Sequence, residues 1–138
     1  MADDLMSTFR ISAAGMKAQG SRLRVISQNI ANADSLPTEP GQRPYQRKTI
    51  TFKNAVDRQL GLKLIEVDKV GKDRSDFIKR FDPSHPAADQ DGYVLAPNVN
   101  KLVEMMDMRE AQRSYDANLA VIRTSRQMLN RSIQLLRQ

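Results

Sequence analysis

Cysteine and tryptophan are missing from this 138-residue chain, and histidine occurs once, as His85. Without cysteine there is no disulfide framework, thiolate zinc site, iron–sulfur cluster or cysteine nucleophile. A lone imidazole removes most metal and acid–base constellations built on histidine. Aromatics are scarce, four Phe and three Tyr. The core must therefore be filled by aliphatics, Met and Ala, which suits helix packing better than a β-sandwich. No run approaches the roughly 20 apolar residues of a membrane-spanning helix. The start, Met1-Ala2-Asp3-Asp4, is acidic where a secretory signal is basic, so no cleaved signal and no membrane insertion are expected.

What is present first is charge, a formal +6. It is spread thinly: residues 1–36 carry +1, 37–97 carry +2 and 98–138 carry +3. The densest basic stretch holds Arg43, Arg47, Lys48 and Lys53 near Tyr45 and Phe52. That arrangement is compatible with a small phosphate-and-stacking surface, so a basic helical nucleic-acid-binding protein is the alternative reading. An ordinary solvated strand explains the same residues.

The second feature is helical periodicity at both ends. Leu5, Phe9, Ser12, Met16, Gln19, Leu23, Ile26 and Ile30 follow the alternating four-and-three spacing of a coiled-coil seam. Asp3 and Asp4 suit the positive end of a helix dipole, and Pro37 and Pro40 forbid continuation, which predicts a helix over Asp4–Asn32. Met105, Met108, Gln112, Tyr115, Leu119, Ile122, Arg126, Leu129, Ile133 and Leu136 repeat the pattern. Pro97 and the candidate cap Asn100 mark its start, predicting a helix over Asn100–Gln138. At 1.5 Å per residue that helix would run about 58 Å, against a diameter of roughly 37 Å for a compact chain of this length.

These signals predict a mainly α fold: a long antiparallel coiled-coil-like hairpin of terminal helices with a small β/loop insertion. Residues 1–33 and 98–138 would form the helical core and 34–97 the middle domain. Short strands are expected at Tyr45–Phe52, Leu64–Val70, Phe77–Phe81 and Tyr93–Leu95, with a helical turn near Asn54–Leu60. The shorter N-terminal helix cannot cover its partner, so the rest of the C-terminal stripe calls for another molecule. Ser12, Gln19, Gln112 and Arg126 interrupt the stripes, either fixing register or facing solvent.

The patterns that suggest site chemistry have structural explanations. Gly15 and Gly20 have phosphate-loop spacing, but Ser21 stands where the lysine must be and the stretch is helical, so close backbone approach is the better explanation. Asp89-Gln90-Asp91-Gly92 resembles a calcium loop whose first ligand position falls on Ala87 and last on Asn98, which leaves a turn. A small hydrolase built on His85 with Asp82 or Asp89 lacks a second imidazole. No catalytic residue, metal ligand or cofactor is expected.

The residues also carry a family resemblance. Ile11-Ser12-Ala13-Ala14-Gly15-Met16-Lys17-Ala18-Gln19, with Arg22-Leu23 and Asn29-Ile30-Ala31-Asn32-Ala33, resembles the N-terminal motif of flagellar rod and hook axial proteins. The block Asp82-Pro83-Ser84-His85-Pro86-Ala87-Ala88-Asp89, then Gly92-Tyr93-Val94 and Pro97-Asn98-Val99-Asn100, is similar to the proximal-rod branch of that family. It continues through Glu104-Met105, Asp107-Met108, Ala111, Arg113-Ser114-Tyr115 and Ala117-Asn118. After the first motif the chain departs from the family's usual Thr and Gly with Asp34-Ser35-Leu36-Pro37, and 49–80 matches only loosely.

The resemblance implies a structural subunit, not an enzyme. Such proteins are exported unfolded through the flagellar type III export apparatus, without signal cleavage, and polymerise into a helical tube, the rod, which spans the periplasm. Their partners are other copies of the chain and other rod proteins: proximal rod subunits, a basal-body adaptor protein and the distal rod. The terminal helices would form the inner wall, transmitting torque and enclosing the export channel.

Overall fold

The computed structural model describes residues 2–58 and 61–136. Its elements are helix α1 (Ala2–Ala31), strands β1 (Lys48–Asp57), β2 (Leu62–Lys72), β3 (Ile78–Phe81) and β4 (Tyr93–Ala96), and helix α2 (Lys101–Leu136). β1 pairs with β2 and β3 with β4, giving two separate two-stranded sheets.

This corrects the mainly α, coiled-coil-like expectation. Strands of 10 and 11 residues replace the short pieces foreseen in the middle. Extended structure runs on through Asn54–Asp57, where a helical turn was expected; Leu60, the end of that stretch, lies outside the described residues. Thr49, Ile50, Thr51 and Val56 are β-branched, and such side chains fit a pleated, half-buried surface better than a helical turn. The helices themselves depart from a closed a/d seam. On α2, the buried residues Glu104, Ala111 and Ser125 fall in one heptad column, seven and then fourteen residues apart. That column lies one position before the expected column of Met105, Gln112 and Arg126, so small and polar residues occupy the close approach and larger apolar ones flank it.

The chain forms two compact units. The first comprises Met1–Leu23, Thr51–Lys69 and Arg109–Gln138. Its core is built of small residues, Ser12, Ala18, Ala111 and Ser125. Gly15 lies against the Asn118 side chain, where an added Cβ would stand 2.9 Å from Nδ2. Arg22 pairs with Glu110 at 3.7 Å. Positions rise along one helix as they fall along the other, so the two segments run antiparallel here. Arg10 ties β1 to this unit through Asp57 at 2.8 Å.

The second unit comprises Arg24–Ile50 and Val70–Met108. Val25, Ile26, Ala33, Ala87, Val94 and Val99 form its apolar core. In the β3–β4 pair, Ile78 stands opposite Ala96 and Phe81 opposite Tyr93. Period-two alternation turns Val94 inward while Tyr93 and Leu95 face out. α1 ends as Asn32 donates from Nδ2 to the Gln28 carbonyl at 2.8 Å. α2 begins at Asn100, whose Oδ1 accepts from the N–H groups of Leu102 and Val103, the ordinary work of an N-cap.

Candidate functional site

No group of three or more His, Cys, Asp and Glu able to hold a metal occurs among the described residues. What stands out is a buried polar clasp and a set of exposed apolar side chains on the helices.

The clasp lies in the second unit. Glu104, one turn into α2, and Asn29, in the last turns of α1, are each only 1% exposed. Burying a carboxylate is costly unless it is paired and hydrogen-bonded. Arg47 Nε donates to Glu104 Oε1 at 2.6 Å, and Asn29 Nδ2 donates to Glu104 Oε2 at 3.1 Å and to the Lys48 carbonyl at 2.9 Å. Asn29 Oδ1 in turn accepts from the Tyr45 hydroxyl and the Lys48 N–H. Asn98 extends the network: its Oδ1 accepts from Arg47 N–H, and its Nδ2 donates to the carbonyl and hydroxyl of Ser75. Asn29 and Asn98 are motif residues, and their side-chain amides do here what only a paired donor and acceptor can do.

Two groups titrate differently because of this setting. Burial, and then the negative charge of Glu104, push the Tyr45 hydroxyl above its ordinary range. The Asp73 carboxyl is lowered first by the Ser75 backbone N–H, next by the Ser75 hydroxyl, with partial burial opposing and Arg47 adding a further lowering.

The remaining motif residues close turns. His85 Nδ1 accepts from Ala87 N–H, and Asp82 accepts from the Ser84 hydroxyl, in the turn that Pro83 and Pro86 stiffen. Asp89 Oδ1 accepts from Asp91 and Tyr93 N–H. Gly92 takes φ +80°, and an added Cβ would meet Phe81 and Pro83 at 3.1–3.2 Å. The Tyr93 ring meets Phe81 edge-on at 5.2 Å. Arg113 is exposed on α2. Thus His85, Asp82 and Asp89 are each engaged in local turn bonds.

The basic stretch is also committed. Arg47 is held by Glu104 and Asp73, Lys48 Nζ donates to Gln28, and Lys53 pairs with Asp68. Arg43 is exposed in the preceding loop.

Of the helix-stripe residues, Ile26 is buried. Leu5, Met16, Leu23, Ile30, Met108, Tyr115, Leu119 and Ile122 are half-buried. Phe9, Met105, Leu129 and Ile133 are exposed, and the Leu136 side chain lies outside the described residues. Sequence reasoning missed Arg47 and Glu104 as partners. The available signal was an acidic residue set among Val103, Met105 and Met106, one turn after a helix cap.

Comparison with known proteins agrees with the motifs. The family model described as "Flagella basal body rod protein" matches residues 9–35. The one described as "Flagellar basal body rod FlgEFG protein C-terminal" matches residues 90–135. The chain is 50% identical over 135 residues to the flagellar basal-body rod protein FlgC of Agrobacterium fabrum, covering 98% of this chain and 97% of that one. It is 35% identical to FlgC of Borreliella burgdorferi (96% and 97% covered) and 35% identical to FlgC of Salmonella typhimurium (95% and 97%).

Proposed function

The chain belongs to the family of the flagellar basal-body rod protein FlgC, and we propose that it builds the proximal part of the rod by packing its terminal helices against neighbouring subunits. As a member it is a structural rod subunit of the flagellar basal body, working by assembly with other basal-body rod proteins. In the fuller reading, residues 1–33 and 98–138 form the inner wall of a helical tube that spans the periplasm, transmits torque and encloses the export channel. Residues 34–97 lie on the outside. Further copies of the chain, a basal-body adaptor protein and the distal rod are its neighbours, and the type III export apparatus delivers it.

The observation that supports this is the apolar surface left on the helices. Phe9 on α1 and Met105, Leu129 and Ile133 on α2 are all exposed. Phe9 and Leu129 line one groove of the first unit, and exposed apolar surface of this kind marks an interaction site. A subunit whose contacts join two different surfaces builds a ring or, where the rotation does not close, an open helix, whereas a self-complementary contact closes into a dimer. The test is a cryo-EM map of basal bodies carrying a tagged chain. Density for α2 packed on an adjacent subunit in the proximal rod is the expected result; its absence from the rod sinks the reading. Hydrogen exchange gives a second check, because full protection of both helices in a dilute monomer contradicts helices that need neighbours.

A further inference from the structure

Among the described residues, the surface carries an apolar groove and an apolar helix turn of different shape. In the first unit, Leu5, Met6 and Phe9 of α1 face Ser125, Arg126 and Leu129 of α2 across a groove of about 290 Å³. In the second unit, the opening turns of α2 present Leu102, Val103, Met105 and Met106, with Leu102 68% and Met106 65% exposed. One feature is concave and the other convex.

Building on the rod-subunit reading, we propose that the Leu102–Met106 turn of one copy seats in the Leu5–Leu129 groove of a second copy, head to tail. An apolar cavity of about 150 Å³ holds a benzene ring, so this groove has room for about two side chains of methionine size. Methionine is unbranched and adapts to irregular apolar walls, and two of the four turn residues are Met. Charge agrees as well. Among the described residues, Arg126 is the one cation lining the groove. Glu110 follows Met106 by four residues, hence on the same face of α2, and its side chain is 67% exposed with only a 3.7 Å pairing to Arg22. Seating the turn brings Glu110 toward Arg126 of the second copy. The contact is far smaller than the roughly 1,200 Å² of a stable pairwise interface. Isolated chains therefore stay apart, and the contact holds only when repeated along a polymer. Because groove and turn are different surfaces, the contact leaves one of each free at every step, and it propagates as an open polymer wherever the rotation per subunit does not close a ring.

The absence of cysteine makes thiol cross-linking clean. Chains carrying Met106→Cys and Leu129→Cys, with different tags, are co-expressed, and isolated basal bodies are oxidised and run without reductant. A disulfide needs Cα atoms about 4.4–6.8 Å apart. The expected product joins the two tags, and a single chain carrying both substitutions gives a ladder. Only like-with-like dimers, a bond to a different rod protein, or incorporation without cross-linking overturns the proposal. A second arm uses charge. Arg126→Glu and Glu110→Arg each lower the yield of assembled rods about tenfold, and the double variant restores it; no restoration overturns the pairing. Absence of the unsubstituted tagged chain from basal bodies sinks the rod-subunit reading itself and this contact with it. Its presence without the 106–129 bond sinks the contact alone.

Discussion

Asn29 of α1 and Glu104 of α2, 75 residues apart in sequence, meet through a 3.1 Å bond from the amide Nδ2 to carboxylate Oε2, both side chains almost wholly out of water. Asn29 uses its other lone pairs and proton on Tyr45 and Lys48. A single asparagine thus joins the end of one helix, the start of the other and the segment entering β1.

Breaking this clasp is expected to be costly. Glu104→Ala leaves the Arg47 guanidinium and the Asn29 amide without their acceptor, and removing one partner of a buried pair costs about 3 kcal/mol or more. Arg47 is one-quarter exposed and can recruit water, so the low end of that range applies. Urea unfolding followed by circular dichroism measures it; a loss below about 1 kcal/mol contradicts the clasp.

The two helical glycines should respond oppositely to alanine. At Gly20 nothing lies within 4 Å of an added Cβ, so Gly20→Ala gains up to about 1 kcal/mol from helix propensity. At Gly15 the same group meets Asn118 Nδ2 at 2.9 Å, and Gly15→Ala should destabilise despite that gain. Asn118→Ala removes the obstructing atoms, so the double variant should recover stability in thermal melts. Additive effects of the two substitutions would refute the close approach.

Alkaline pH should weaken the second unit. The Tyr45 hydroxyl is raised above its unfolded value, so the folded state holds a proton that the unfolded state releases above about pH 10. The resulting stability is complete below that pH and is lost as pH rises through the folded value. Tyr45→Phe removes the titrating group. Its unfolding midpoint should fall less steeply than the parent's between pH 9 and 11, while lying lower at pH 7 through loss of the bond to Asn29. Parallel pH profiles would show that Tyr45 does not carry this dependence.

At acid pH the sign is reversed. Asp73 is lowered by the Ser75 bonds and Arg47, so its contribution is present above the unfolded value near 3.9 and is lost as pH falls through the folded value. Asp73→Asn should flatten the stability profile below pH 4 and leave it unchanged in slope at neutrality. An unaltered acid limb in a denaturation series contradicts this.

Assembly and folding should separate at Leu129. Its side chain is exposed in the single chain, so Leu129→Asp should change stability by less than about 0.5 kcal/mol. An aspartate buried between subunits is strongly unfavourable, and rods should fail to form. Motile cells with normal basal bodies would refute the assignment. Leu119→Asp, at a half-buried position, should impair both stability and assembly.

Much was legible in the sequence because it rests on local rules. Helical periodicity fixed both long helices to within about two residues of their observed starts, and Asn100 reads as a cap and acts as one. Three of the four strands begin within two residues of their expected positions, while β1 begins three later; β1 and β2 run longer than expected. The motif blocks identified the family that the comparisons support. The face of α2 that would be buried was not legible. Apolar spacing places it at Met105, Leu119 and Leu129, whereas the closest packing uses Ala111, Asn118 and Ser125.

The sequence by itself determined that the chain has no cysteine chemistry, a single imidazole, two long amphipathic helices and a β-prone middle, since each follows from residue type or periodicity. Only the tertiary structure decided which carboxylate is buried and what pairs with it. Glu104 lies 57 residues from Arg47 and 75 from Asn29 in sequence, and an ion pair of that kind is set by geometry in three dimensions and leaves no periodic trace. It also decided that helix approach selects small residues. Packing distance depends on the bulk of the side chains between two backbones, and glycine, alanine and serine permit an approach that larger apolar residues would prevent.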